Sequence, residues 1–444
     1  MYSAIHGTYW MSYAAISSFA SAFLLARGYT NSDIGLILAI GCILSIVAQP
    51  LAADFADRTR RFTLMGLMQI LSAIVIVFTV GLFFIKGKTL ALSVIFVMAV
   101  AWNIAVQPLL NSLSFKLEVS GYRVHFGIAR SMGSLGYAII CALLGSLVEI
   151  FGAQAVPVSG VLVTAILILI LHATKRIFKK ACEERDLRLR AYSSAGNGGG
   201  RGDDALSANG AVSAETVKGE LTSDSEGSYV RGDDYAAVFE GGQAGGKESI
   251  NLLEFVKRNK LFVAAQIGII GIFFANTTYS NFMLQIAQSV GGDSVDFGRI
   301  LAISAFFEIP AMLCYDKLQE KISCRLVLGV SAIGFTLKAL CIFCARGVGL
   351  LYVSSCFNIV AFGLFMPALV YFVNSIMDEG EAVKGQALYP ISNSVSAVIS
   401  SFAGGYIMDL CGVRMLLLIS LILCAGGAVF FILLIGKIKS KKDE

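Results

Sequence analysis

The chain has 444 residues, of which 56% are hydrophobic and 15% are charged. Soluble globular domains are about 45–50% apolar and about 25% charged, so this composition excludes an ordinary water-soluble domain. The formal net charge of +5 comes largely from lysines and arginines that flank apolar segments, which indicates membrane topology and not nucleic-acid binding.

The apolar residues fall in runs of about 20, long enough at about 1.5 Å per residue to cross a hydrocarbon core of about 30 Å. We expect an all-α membrane protein with twelve transmembrane helices. Segment 1 has no cationic leader and continues directly into segment 2, so we expect it to stay in the protein. Segments 1 to 12 cover 4–26, 32–54, 63–85, 89–112, 128–150, 154–174, 260–287, 297–316, 325–345, 348–374, 386–410 and 414–436.

The loop after segment 2 joins acidic and basic residues in the sequence ADFADRTRRF, which begins at Ala53. An acid at a helix end, Asp57, lies beside Arg58 and close to Arg61. Such a cluster can latch neighbouring helices in one of two states, so we expect it to gate the protein. The alternative is that the arginines only follow the rule that places positive loops inside the cell.

Polar and aromatic residues recur at helical spacing on several segments. Asn103, Gln107 and Asn111 are four positions apart on segment 4 and therefore share one face. Because amides bond to hydroxyl groups and flat rings stack on sugars, we expect such residues to line a binding cavity. The alternative is that each one only holds helices together. The predicted set is Tyr13, Trp102, Asn103, Gln107, Asn111, Asn276, Tyr279 and Asn358.

Three charged residues lie deep within apolar segments, namely Arg130, Glu308 and Lys338. A charge in mid-membrane costs about 2.5–3.5 kcal/mol on insertion scales, so each needs a partner or a function. Glu308 is the only acid at that depth in the sequence, and we expect it to couple a proton to a conformational change. A structural ion pair with Lys338 or Arg130 is the alternative, and the two roles are compatible.

The sequence divides at a stretch of low apolar content. Residues 1–174 and 259–437 each hold six segments, 175–258 form a linker expected to be largely disordered, and 438–444 form a basic tail. The two halves repeat: Pro50 matches Pro310, and Pro108 matches Pro367, at almost the same offset. Two parallel six-helix bundles follow from this duplication.

Lysines and arginines of the short loops collect on the side that carries both termini, so we expect both termini to be cytoplasmic. The expected location is the plasma membrane, specifically a bacterial inner membrane.

ADFADRTRRF resembles the loop between helices 2 and 3 of the major facilitator superfamily, with Asp57 and Arg58 on its Asp-Arg pair and Arg61 on a later basic position. The usual first glycine is replaced by Ala53. QPLAADFAD, FGIARSMGSLGY and NTTYSNF further resemble the oligosaccharide and nucleoside proton symporters, the group of lactose permease.

The narrower resemblance implies roles for several positions. Arg130 falls on the sugar-binding arginine, Tyr137 on a tryptophan that stacks on the sugar, and Lys338 near an arginine of helix 9. Asn111 lies near the place of a substrate-binding glutamate, and Asn276 replaces an aspartate. The family's proton-carrying histidine and glutamate of helix 10 have no counterparts here, so its proton machinery is not kept residue for residue.

These features predict a secondary transporter that moves a small polar solute, sugar-like or nucleoside-like, by alternating access with proton coupling. An exporter of sugars or amphipathic drugs, and a non-transporting sensor with the same fold, are the alternatives. The sequence holds no constellation typical of an enzyme, and we expect no cofactor and no bound metal. The expected partners are a solute, a proton and the lipid bilayer, with no nucleic acid and a monomeric state.

Overall fold

The computed structural model describes residues 1–58, 63–119, 126–196, 252–377 and 379–438. Within these ranges all regular structure is helical. Eleven of the described helices are long and apolar enough to cross a membrane. The last, Glu379–Lys437, is interrupted at Gly412, whose φ of 81° lies outside the helical region, so it forms two crossings. The predicted all-α fold with twelve transmembrane helices is therefore confirmed.

The crossings are labelled α1 to α12 in chain order, and a short helix, Leu252–Arg258, precedes α7. Because the number of crossings is even, both ends of the bundle lie on one face, which we call the terminal face; the other is the opposite face. The bounds are α1 Tyr2–Ala26, α2 Asn31–Arg58, α3 Leu64–Phe84, α4 Leu90–Val119, α5 Phe126–Phe151, α6 Ala155–Gly196, α7 Lys260–Ser289, α8 Ser294–Gln319, α9 Cys324–Cys344, α10 Val348–Ile376, and α11 and α12 as the parts of Glu379–Lys437 before and after Gly412.

The predicted segments match these helices to within a few residues at most ends. The largest difference is α6, which continues to Gly196 beyond the predicted boundary at residue 174. Residues 197–251 of the predicted linker lie outside the described part of the chain. Asp57 and Arg58 belong to the last turn of α2, but their side chains and all of Arg61 are also outside it, so the gating cluster stays a prediction.

The main contacts between the two halves join α2 with α11 and α5 with α8. Glycines make these contacts close. A Cβ atom on Gly35 of α2 would collide with the Ser401 carbonyl oxygen of α11, and one on Gly298 of α8 would lie 2.8 Å from the Gly145 Cα of α5. These positions lie towards the opposite face, so the backbones of the two halves are in close contact there.

Two corresponding helices, α1 and α7, both leave ideal geometry in their opposite-face part. α1 contains a π-helical segment, Ala14–Ser18, followed by Phe19 at φ −91° and ψ 12°. α7 is broken at Phe282, at φ −120° and ψ 17°. The Phe19 ring packs against Phe297 of α8 with centroids 4.6 Å apart, so the break in α1 takes part in the contact between the halves.

Candidate functional site

The three charged residues that the sequence placed at membrane depth come together near the middle of the bundle. Lys338 of α9 donates from Nζ to the Asn358 Oδ1 of α10 at 2.7 Å. Asn358 donates from Nδ2 to the Glu308 Oε1 of α8 at 2.7 Å. The amide of Asn358 thus lies between the cation and the carboxylate and bonds to both.

The other oxygen of Glu308 connects to the N-terminal half. Ser134 of α5 donates from Oγ to Glu308 Oε2 at 3.2 Å, and Arg130 donates from Nη1 to Ser134 Oγ at 3.3 Å. A continuous polar chain therefore runs from Arg130 through Glu308 to Lys338 and crosses the junction between the halves. The ion pairs found among the described side chains lie elsewhere, so both cations reach the carboxylate only through a neutral residue.

Arg130 is also held by an aromatic ring that the sequence analysis did not select. Its Cζ lies 4.7 Å from the ring centroid of Trp10 on α1, which is a cation–π geometry. Gly133 makes this possible, since a Cβ there would approach Trp10 Cδ1 to 2.6 Å. The sequence contained one indication of Trp10: it precedes Tyr13 by three positions and therefore shares a helix face with it. In the structure their ring centroids are 5.3 Å apart.

A break in α10 delivers Asn358 to the site. The helix is α-helical over Val348–Cys356, tightens to a 3₁₀ turn over Phe357–Ile359 and resumes as Phe362–Ile376. Asn358 lies in that turn, where its Nδ2 also donates to the Ser304 carbonyl oxygen of α8 at 3.2 Å. The irregular backbone thus coincides with the residue that joins α8, α9 and α10.

Two tyrosines lie beside the charged chain. The Tyr137 hydroxyl shares a hydrogen bond of 2.8 Å with Ser18 Oγ, in the π-helical segment of α1. Tyr13 comes just before that segment, and both rings keep partial exposure. Tyr13 also packs against Trp10, with ring centroids 5.3 Å apart, so the aromatic residues of α1 extend from the ring beneath Arg130 to the distorted segment.

The predicted polar face of α4 divides into two kinds of environment. Asn103 is buried and donates from Nδ2 to Ser12 Oγ at 3.0 Å, while its backbone carbonyl oxygen accepts from the Tyr9 hydroxyl at 3.3 Å. It therefore holds α4 against α1. Gln107 and Asn111, one and two turns further on, are partly exposed. Trp102 is partly buried against the apolar core.

The helix 7 candidates also divide. Asn276 is partly exposed, whereas Tyr279 is 3% exposed and belongs to the apolar core of its half. Tyr279 is therefore surrounded mainly by packed side chains. Asn281, on the same helix, donates from Nδ2 to Ser401 Oγ of α11 at 2.8 Å.

Comparison with known proteins defines the family. Residues 2–433 match the family described as MFS_1 like family. The crystal structure of the nucleoside transporter NupG aligns with a TM-score of 0.67 at 14% identity, over 99% of this chain and 98% of that one. A bacterial homologue of the human lysosomal transporter Spinster gives 0.62 at 12% identity, over 100% and 97% of the two chains. A POT family peptide transporter gives 0.64 at 8%, over 98% and 96%.

No curated protein sequence matches the chain. At such low identities the structural matches establish the fold alone. The family match spans nearly the whole chain and confirms the resemblance to the major facilitator superfamily. The chain belongs to the MFS_1-like family and is a multi-pass membrane protein of the solute-transporter class.

Proposed function

We propose that the protein is a secondary active transporter that moves a small polar solute, sugar-like or nucleoside-like, by alternating access. The observation that supports this most directly is the hydrogen bond from Ser134 to Glu308, which joins the two halves near the middle of the bundle. In transporters built from repeats the site lies near the membrane midplane, and the halves rock around it. A polar bridge at that place must break or re-form as they move.

The solute binds, in this proposal, among the partly exposed groups beside that bridge. Rings there can stack on a sugar or a base, and amides and the guanidinium can bond to hydroxyl groups. The proposed contact residues are Tyr13, Gln107, Asn111, Arg130, Tyr137 and Asn276. The proposed set also includes Lys338 and Asn358 at the C-terminal edge, with Trp102, Asn103 and Tyr279 supporting the walls from behind.

Proton coupling is proposed at Glu308. As a carboxylate it accepts from Ser134 at one oxygen and from Asn358 at the other. A proton on Glu308 removes its negative charge, so its oxygens become weaker acceptors and the bond from the Ser134 hydroxyl is no longer charge-assisted. Protonation therefore weakens the bond between the halves, and loss of the proton restores it.

Access from the opposite face is blocked by the close contacts of α2 with α11 and of α5 with α8. Alternating access then requires these contacts to separate while the terminal face closes. We propose that Asp57 and Arg58, in the last turn of α2, form with Arg61 the corresponding latch there. The positive loops on that face favour an arrangement in the plasma membrane with cytoplasmic termini, as a monomer in the bilayer.

The test is transport in proteoliposomes against a panel of labelled sugars and nucleosides. Counterflow exchange needs no net proton movement, whereas accumulation driven by a proton gradient does. We expect Glu308→Gln to keep exchange but to reduce proton-driven accumulation to background, since the amide cannot gain and lose a proton.

Glu149→Gln serves as the control, because that carboxylate is exposed near the end of α5, away from the site. Accumulation by Glu308→Gln at the level of the unchanged protein would contradict proton coupling at this residue. Saturable binding without exchange of any panel member would instead favour the sensor hypothesis. Uphill movement only out of vesicles of known orientation would favour the exporter.

A further inference from the structure

The charged residues at the site do not balance. Two cations, Arg130 and Lys338, share one carboxylate, Glu308, and in the described part of the chain no second acid reaches them within hydrogen-bonding distance. Uncompensated charge at membrane depth is costly, so such a group is retained for a partner or a function. The missing partner here is an anion.

Arg130 has the donors to bind one. A guanidinium carries five N–H groups in a planar fork that matches a carboxylate. One face of the group lies over the Trp10 ring, and a single contact from Nη1 reaches Ser134. Stacking occupies a face and not the edge, and no other described residue accepts a hydrogen bond from the remaining edge donors, so they can bind another group.

The Arg130 side chain is also partly exposed, and it lies at the junction where Ser134 bonds to Glu308 of the other half. Lys338 is less accessible than Arg130, because it is only 6% exposed and bonds to Asn358. The accessible cation is therefore the one whose donors are least used, and it lies among the rings and amides proposed to hold the solute.

We propose that the solute is a hydroxylated organic monoanion, a sugar acid in its simplest form, whose carboxylate is bound by the edge of Arg130 while its hydroxyl groups meet the amides and rings. This inference rests on the proposed function and narrows its substrate class. Binding of such a monoanion brings the sum of the charges of Arg130, Lys338, Glu308 and solute to zero.

The experiment compares two sugars with the same ring, one of which carries a carboxylate while the other is uncharged. Purified protein is tested for binding of a radiolabelled hexuronate, and the corresponding uncharged hexose is used as competitor. We expect hexuronate to bind saturably and the hexose to compete only at a concentration at least about tenfold higher. Absence of hexuronate binding, or equal competition by the hexose, overturns the inference.

Variants assign the preference to its residue. Arg130→Gln is expected to lose the preference for hexuronate, and Arg130→Lys to keep part of it, since charge remains while the bidentate fork is lost. Arg27→Gln is the matched control, because Arg27 also lies over a ring, that of Phe23 at 5.1 Å, but near the end of α1 at the opposite face. An unchanged preference in folded Arg130→Lys and Arg130→Gln proteins overturns the assignment.

The two proposals fail in different ways. Exchange of an uncharged sugar or nucleoside without exchange of hexuronate overturns the inference and leaves the proposed transport function standing. Exchange of hexuronate without any accumulation driven by a proton gradient supports the monoanion and contradicts the coupling role of Glu308.

Discussion

At the scale of single residues, Arg130 is held by two neighbours of different chemistry. Ser134 accepts one hydrogen bond from its Nη1, and Trp10 supplies a flat aromatic surface to the guanidinium. Neither neighbour is an acid, so the arginine is oriented without being neutralised. Orientation without neutralisation is what a residue needs if its charge serves a ligand.

Trp10 should therefore act as a positioning residue for Arg130. Loss of a cation–π contact costs about 0.5–2 kcal/mol, which corresponds to a rise in KM of about 2- to 30-fold for Trp10→Leu. Trp10→Phe keeps an aromatic face and should lie in between. Transport kinetics measure both, and kcat should change less than KM.

Phe23→Leu removes the ring beneath Arg27 and provides the control for that experiment. It should leave KM unchanged, because this pair lies away from the site. A Trp10→Leu protein with normal KM would show that the ring does not orient the guanidinium during solute binding.

Asn103 illustrates why a polar face is not equivalent to a binding surface. It shares a helix face with Gln107 and Asn111, yet it is 3% exposed and bonds to Ser12, which in turn bonds to Thr164 at 2.7 Å. The helix spacing predicts that residues face the same way. Only the distance to the neighbouring helix decides whether water or another side chain meets them.

At the scale of secondary-structure elements, the start of α2 is capped by a residue of the other half. Asp409 near the end of α11 accepts from the backbone amides of Asn31 and Ser32, at 3.2 and 2.6 Å, and from Asn31 Nδ2 at 2.8 Å. A helix N-terminus attracts negative charge, so the carboxylate stabilises the closed opposite face. The cap is lost whenever the halves separate there.

Asp409→Asn should loosen that face. Removing the charge from a helix N-terminus costs about 0.3–1 kcal/mol, so amide hydrogen exchange in the first turn of α2 should rise about 2- to 5-fold. Asp293→Asn is the control for α2, since Asp293 caps the start of α8 by accepting from the Asp296 backbone amide within its own half. Equal exchange in the Asp409→Asn variant and the unchanged protein would show that the cap does not hold the halves together.

The irregular helix segments, like the neighbours of Asn103, could not be predicted from residue spacing. The 3₁₀ turn of α10 and the π-helical segment of α1 place Asn358 and Ser18 against their partners. Discontinuous helices at membrane depth are tolerated where the freed backbone is buried in protein or lines a cavity. Neither break is marked by a proline at the distorted residues, so hydropathy and residue type did not predict them.

At the scale of the whole molecule, the glycine contacts between the halves set which face is closed. Valine at Gly35 would place a side chain against the Ser401 carbonyl of α11. Overpacking of this kind costs about 1–3 kcal/mol, which shifts the balance away from the closed opposite face by about 5- to 150-fold. We expect Gly35→Val to bind solute but to transport it at least about tenfold more slowly.

Gly329→Val tests the specificity of that effect, since a Cβ at Gly329 meets no atom within 4 Å. It should transport normally. Normal transport by Gly35→Val, with unchanged hydrogen exchange at the start of α2, would mean that α2 and α11 need not approach so closely during the cycle.

The order of apolar runs determined the membrane class and the twelve crossings, because burial in lipid demands uninterrupted apolar helices of fixed length. The constant offset between matched prolines predicted the duplicated halves. Because buried charge is costly, the sequence alone also indicated Arg130, Glu308 and Lys338 as candidate functional residues. The sequence could not tell which residues would meet. Trp10 beside Arg130, Ser134 between Arg130 and Glu308, and Asp409 on the start of α2 depend on how helices rotate and cross, and those angles follow from side-chain packing between distant segments.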